Sequence, residues 1–232
     1  VSAQSVHDPF PGTPPEGIPI EATVTVNAEA ARVEVDLRDN PDCLPCGLNL
    51  SEACARTAAM IGVFDGIATE VPPNAGSFRR ITVHLREGCV VGIPVHPTSC
   101  SLATTNVADR VTNAIHRAIA ENAEGFGMAE GGAVATASNA VISGRDPRTG
   151  DSPFVNHLVL ADTCGQASSS EDGWLVMGSA GGAGQGFCDS IEVDEGLYPI
   201  RIAVRGLVAD SEGAGRFRGA PSSIVEYGPV DC

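Results

Sequence analysis

Aromatic side chains are scarce in this sequence: 4% of 232 residues, with one Trp and two Tyr. A core cannot be built around stacked rings, so Val, Ile, Leu and Ala must fill it. Basic residues are few as well, 14 against 29 acidic ones, for a formal net charge of -15. Nucleic-acid binding needs a basic surface, and this balance opposes it. No apolar run approaches the roughly 18 residues of a membrane-spanning helix. No stretch combines a basic start, an apolar middle and a small-residue cleavage site, so a cytoplasmic location is expected. No repeat of fixed period is present.

Several chemical motifs are also missing. There is no G-x-S-x-G, and no Ser or Cys whose surroundings predict an activated nucleophile. The histidines His7, His84, His96, His116 and His157 show no H-x-x-x-H or H-x-x-D spacing. The glycine-rich stretch from Gly178 to Gly186 lacks the Lys-Ser/Thr pair of a phosphate-binding loop, and reads as a flexible or closely packed loop. Eight cysteines are present, irregularly spaced in a chain larger than disulfide-stapled scaffolds. Cys43-x-x-Cys46 has metal-like spacing, but no second such pair exists, and a structural zinc site needs four ligands. A redox dithiol would sit at a helix N-terminus, whereas the helix here starts only at Ser51. Cys43 and Cys46 are therefore weak metal candidates, better read as small buried thiols in a tight turn.

What is present is turn chemistry around regular elements. Glycine and proline number 27 and 16. The first 19 residues carry five prolines and read as an extended arm or linker. Two runs of period two, Ala22–Val26 and Ala31–Leu37, predict a β-hairpin with one wet face. Ser51 is a good N-cap and Glu52 suits the first turn, so Ser51–Gly66, rich in alanine, predicts a buried helix. The turn from Val71 to Gly76 ends it. Ile81–Leu85 and Cys89–Ile93 flank Glu87-Gly88 and predict a second hairpin. Thr105-Asn106 can cap another helix, with Val107, Val111, Ile115 and Ile119 on one face and Gly125 and Gly127 as its stop. Further on, 131–132, 144–150 and 166–173 read as loops and Val155–Ala161 as a strand. A strand-like acidic run follows Cys188, and strands are expected at Tyr198–Val204 and Ser223–Tyr227. The sum is an α+β fold: antiparallel hairpins and a mixed sheet packed with a few helices, and long glycine-rich loops.

Among polar residues, His96 is held between Pro94 and Pro97 and is the histidine best placed to line a site. His84 and His116, in a strand and on a helix, read as surface or satisfied polar residues. Arg79, Arg80 and Arg110 could bind a carboxylate or phosphate, although salt bridging is the simpler role in so acidic a chain.

Several segments together resemble the C-terminal half of the hydantoinase B subunit family, which includes N-methylhydantoinase and 5-oxoprolinase B-type subunits and the acetone carboxylase large subunit. The segments are Asp36–Asn40, Gly47-Leu48-Asn49-Leu50-Ser51-Glu52-Ala53, Val71–Arg79, Thr105–Arg110, Tyr198-Pro199-Ile200-Arg201, and Gly213-Ala214-Gly215-Arg216-Phe217-Arg218-Gly219. Pro45-Cys46-Gly47-Leu48-Asn49 and Gly92-Ile93-Pro94 with His96-Pro97 look most like the acetone carboxylase branch. The resemblance makes 20–232 a hydantoinase B-like C-terminal domain, with a possible internal boundary near 125–150.

The resemblance implies an ATP-using complex. An A-type, ATP-binding subunit activates a carbonyl or bicarbonate by phosphorylation. The B-type subunit completes hydrolysis or carboxylation, with a divalent metal in the carboxylase branch. The family's Asn-Asp-Pro and His-x-x-Asp motifs belong to its N-terminal half, and His7-Asp8-Pro9 is not such a segment. The chain is therefore expected to be catalytically incomplete: a split subunit, or one portion of a larger B-type chain, that pairs with the N-terminal half. It should bind no cofactor alone and should frame the site with Asn74, His96 and Arg110. Two alternatives remain open: a non-catalytic assembly subunit of such a complex, and a small zinc-binding module built on Cys43 and Cys46.

Overall fold

A computed structural model describes residues 11–67, 71–101, 103–132, 140–161, 165–175 and 187–230. The first hairpin forms as expected. Strands β1 (Thr23–Asn27) and β2 (Arg32–Asp36) pair antiparallel, Val24 opposite Val35 and Val26 opposite Val33. Alternation puts Val33 and Val35 of β2 on the buried face, and Leu37 follows them inward. Helix α1 (Glu52–Ile67) then crosses over to β3 (Ile81–His84), which lies parallel to β2 with Val83 opposite Val35. A crossover of this kind is what a parallel pair requires.

The second hairpin does not form. Residues 89–93 form no ladder with β3: Ile93 loops back to an isolated bridge with Glu87, the Val90 amide donates to the Pro41 carbonyl, and the Cys43 amide to that of Gly88. Cys89, Val90 and Val91 are all completely buried. A run buried on every side has no wet face, so its apolar character was not the signature of a surface strand.

Helix α3 (Ala103–Asn122) begins two residues before the expected cap and packs along α1. Their approach is close at Gly62, where a Cβ would lie 3.0 Å from that of Ile115. Ala55, Ala58 and Ala59 keep the rest of α1's inner face thin. Ahead of it, Gly17, Ile18 and Ile20 are buried, so the end of the expected arm lies in this core.

The turn after α1 ends in a short helix, α2 (Ala75–Phe78), because Asn74 and Ser77 form a reciprocal capping box. Residues 144–150, read as a loop, instead continue a strand into a one-turn 3-10 helix (Pro147–Thr149). Strand β4 (Val141–Asp146) pairs antiparallel with β5 (Ser152–His157), and Gly144 faces the Phe154 ring opposite it, which fills the space its missing side chain leaves. The acidic run after Cys188 is a helix, α4 (Ile191–Leu197), with Glu192 and Asp194 at its positive end. Strands β6 (Ile200–Leu207) and β7 (Ser223–Pro229) form a second ribbon. Leu158, Leu160, Ile200 and Ile202 make a second, smaller core. Helices and small sheets together give the α+β class.

Candidate functional site

The polar backbone of the family-like motifs is mostly structural. Asn49 is fully buried; its Oδ1 accepts the Leu44 amide at 2.7 Å, and its Nδ2 donates to the carbonyls of Leu44, Cys46 and Ser99. Asn40 does similar work, accepting the Glu21 amide and donating to Glu21 and Leu37. These two side chains fix the turn that carries Cys43 and Cys46.

The cysteine pair has no metal-like surroundings. Cys43 Sγ donates to the Cys89 carbonyl at 3.4 Å, and Cys46 Sγ accepts from Thr13 at 3.9 Å. Burial pushes the Cys43 and Cys89 thiols up, away from the thiolate form a metal needs. Among the described residues, no three His, Cys, Asp or Glu side chains gather to hold a metal.

The three residues expected to line a site lie on separate elements. Asn74 Oδ1 accepts the amides of Gly76 and Ser77, so that side chain serves the α2 cap. His96 is exposed, in the loop after Ile93, before a cis Pro97. Arg110 is the most enclosed. Its guanidinium donates to Asp109 at 2.6 Å, to Glu130 at 3.2 Å and to the carbonyls of Gly131 and Gly132. The glycine-rich stretch from Gly178 to Gly186 lies outside the described residues.

Arg110 leads to the largest concentration of buried polar groups among the described residues. Asp109, Thr112, Asn113 and His116 on α3 are each no more than 2% exposed. Thr112 donates to the Ala58 carbonyl of α1, and Asn113 donates to Asp109 while its Oδ1 accepts the Gly131 amide at 2.7 Å. A Cβ on Gly131 would lie 2.8 Å from Gln166 Oε1 and 3.3 Å from Asn113 Oδ1, so both amide side chains would have to shift. Gln166 approaches His116 Nδ1 at 3.5 Å. On its other side, His116 Nε2 has no hydrogen-bond partner among the described residues, and Asp65 Oδ2 of α1 lies 3.8 Å from it.

The expectation that His116 is a surface or satisfied residue is therefore overturned: the ring is fully buried and half satisfied. Burial lowers its pKa to about 4 and raises that of Asp65 to about 6. At pH 7 the pair is a carboxylate beside a neutral imidazole.

The segment 165–175 joins this polar cluster to the glycine-rich signature near the C-terminus. The Gly173 amide donates to the Arg218 carbonyl, the Ala220 amide to that of Gly165, and the Arg218 amide to Asp172. A side chain on Gly173 would collide with backbone at Gly165 and Ala220. On the helix side, the Ala129 amide donates to Ala167 and Ser169 to Gly125. The candidate site is this seam, where α1, α3, 127–132, 165–175 and 213–220 meet.

The sequence reading missed Asp65, Asp109, Asn113, His116 and Gln166 as a group. A signal existed on α3: Asn106, Asp109, Asn113 and His116 recur at three- and four-residue steps, a polar stripe beside the apolar one. Asp65 and Gln166 arrive from distant parts of the chain, which no local spacing reveals.

Comparison with known proteins places this geometry. The chain is 28% identical over 215 residues to caprolactamase subunit beta of Pseudomonas jessenii, an alignment covering 91% of this chain and 36% of that subunit. The crystal structure of the ATP-dependent caprolactamase from that organism superposes with a TM-score of 0.75 at 26% identity, over 92% of this chain and 36% of the other. A nucleotide-free acetone carboxylase structure shares the fold, with a TM-score of 0.67 at 14% identity over 87% of this chain and 26% of the other. The chain thus spans about a third of the length of the caprolactamase subunit it matches. The hydantoinase B/oxoprolinase profile matches residues 3–230, nearly end to end, and the chain belongs to that family.

Proposed function

We propose that this chain supplies the C-terminal portion of a B-type subunit in an ATP-dependent enzyme complex that hydrolyses a cyclic amide or carboxylates a ketone. The carrying observation is the end-to-end similarity to an ATP-dependent caprolactamase, over 92% of this chain but 36% of the other. The partners in this reading are the N-terminal half of a B-type subunit and an A-type, ATP-binding subunit, in the cytoplasm. ATP and a divalent metal belong to that complex. The described residues of this chain do not fit a metal, having no group of three suitable ligands, so no step is routed through one here.

In this reading the first core and the polar seam hold one wall of the site, with the Asn74 turn, the His96 loop and Arg110 as its frame. A rigid frame suits the task, since reacting groups must be held within a fraction of an ångström. A boundary near 125–150 would then separate the three-stranded sheet with α1 and α3 from the region of the two ribbons, whose first strand β4 begins at Val141.

The test is reconstitution. The chain co-expressed with the N-terminal half and the A-type subunit should show ATP hydrolysis dependent on a lactam or ketone substrate, and the chain omitted should abolish it. Purified chain turning over substrate alone with ATP and metal would overturn the reading.

An assembly role without catalysis is favoured by one observation: the Asn74 and Arg110 side chains are already engaged by protein groups. It predicts that Asn74→Ala and His96→Ala leave the activity of the complex intact, while the chain remains necessary for assembly.

A further inference from the structure

We propose that Asp65 and His116 form a proton-transfer site, in which Asp65 takes a proton from a neutral O–H or N–H donor arriving from solvent and His116 positions the carboxylate. This deepens the family reading above, which assigns neither residue, but its first test does not depend on that reading.

The contact with Gln166 favours one arrangement of protons. Gln166 presents its amide nitrogen to His116 Nδ1. An amide nitrogen only donates, so a hydrogen bond in this orientation makes Nδ1 the acceptor and assigns the single proton of the neutral ring to Nε2. That N–H is buried, has no other partner among the described residues, and lies 3.8 Å from Asp65 Oδ2. An approach of less than about an ångström makes it a hydrogen bond. A neutral N–H donor stabilises the charged carboxylate and fixes its direction.

Only Asp65 of the three has a route outward: its side chain is 27% exposed, while that of His116 is fully buried. Burial alone moves both groups, and the charged neighbours Asp109, Arg110 and Glu130 are engaged with one another further along the seam. A carboxylate titrating near neutrality accepts a proton and gives it back readily, as general acid–base work requires. In the step, the donor's X–H bond breaks with its electron pair left on X, and an O–H bond forms on Asp65. His116 stays neutral throughout, and release of the proton to solvent or product resets the carboxylate.

The first test is NMR titration of the purified chain. The Asp65 carboxyl should titrate at about 6, with His116 in the Nε2–H form and uncharged down to pH 5. His116→Phe, which keeps the ring volume and removes the donor, should raise the Asp65 midpoint by about half a unit, the size of one modest hydrogen bond. His116→Gln, which retains an N–H at that position, should restore it and serves if the Phe variant does not fold. An Asp65 midpoint in the ordinary carboxylate range, an Nδ1–H tautomer, or a midpoint indifferent to both variants would overturn the proposal. In the reconstituted complex, Asp65→Asn should lower kcat at least tenfold, remove the acid limb near pH 6 and leave KM little changed. A fully active Asp65→Asn complex overturns the catalytic role. A complex inactive even with the unaltered chain counts against the family reading, while the titration still decides this one.

Discussion

Among the described residues, 23 buried apolar side chains from Ile18 to Ile119 gather into one cluster on α1, α3 and the sheet beside them; the second cluster, Leu158, Leu160, Ile200 and Ile202, has four. The first region is a conventional layered core, with β2 sandwiched between β1 and β3 and Asn40 and Asn49 completing its turns. The second consists of two separate two-stranded ribbons with a short helix against them. Isolated ribbons of that kind are marginal in water. Val141 and Val155 on the outer face of β4 and β5 are about 70% exposed, as are many apolar side chains along β6 and β7 to a lesser degree. The difference is one of core: the first region carries a layered apolar core of its own, and the second has only the small cluster around Leu158 beside the polar seam.

That contrast can be broken most strongly from the core. Leu50→Ala, at a site with no exposure, should cost about 2–5 kcal/mol and lower the stability of the whole chain. Leu158→Ala, equally buried in the smaller core, should remove a similar contact yet loosen only 141–230. Hydrogen exchange decides: protection in α1, α3 and β2 should survive Leu158→Ala and collapse under Leu50→Ala. Equal loss everywhere in both variants would show one cooperative unit.

The seam supplies the next effect, and its sign follows from the two shifts. His116 binds a proton less readily when folded, its pKa falling from 6.5 to about 4, so its contribution to stability is lost as pH drops through that window. Asp65 binds one more readily when folded, its pKa rising from 3.8 to about 6, so it contributes stability that grows as pH falls from about 6 to 4 and is absent above. The two windows overlap and the slopes oppose, so the unaltered chain should be nearly flat between pH 6 and 4. Asp65→Asn should expose the effect of His116 alone, a loss of up to about 3 kcal/mol on going from pH 7 to pH 4. His116→Phe should show the reverse slope. Urea denaturation at pH 7, 5.5 and 4 separates them, and a steep slope in the unaltered chain would count against the opposed pair.

A smaller but local effect is expected in the turn that sequence and structure describe alike. Asn49→Ala strands the Leu44 amide and three carbonyls, and should cost about 1–3 kcal/mol. Circular dichroism melting should detect it, and Asn49→Asp should fail to rescue it, since a carboxylate cannot donate to those carbonyls.

The first region was readable because its elements obey local rules. Alternation marks β1 and β2, Ser51 marks the start of α1, and Gly125 and Gly127, both with positive φ, follow the end of α3. The second region was misread where a partner across the ribbon overrides local preference, as Phe154 does for Gly144, and where acidic residues at a helix start looked like a strand. The family markers were legible, yet most of them proved to be caps and turns. The seam was not legible, because Asp65, His116 and Gln166 are about 50 residues apart in sequence from one to the next, and the decisive fact about His116 is burial without a partner on Nε2.

The smallest expected effect bears on whether the frame around the first core serves function or only shape. Asn74 accepts two amides at the start of α2, and Ser77 returns the favour by accepting the Asn74 amide and donating to Pro72. Removing that cap should cost about 1 kcal/mol. The loss should stay local, because α2 is four residues long and none of them is buried. Phe78 rests edge-on against Phe64 at 5.1 Å, so the turn remains pinned to α1 even when its cap is lost. Asn74→Ala should therefore melt close to the unaltered chain, whereas Asn74→Ser or Asn74→Asp, both good caps, should match it. If activity of the reconstituted complex follows the cap, falling in the Ala variant and returning in Ser and Asp, the turn acts through its shape. Loss of activity in all three would mean that the amide itself meets substrate.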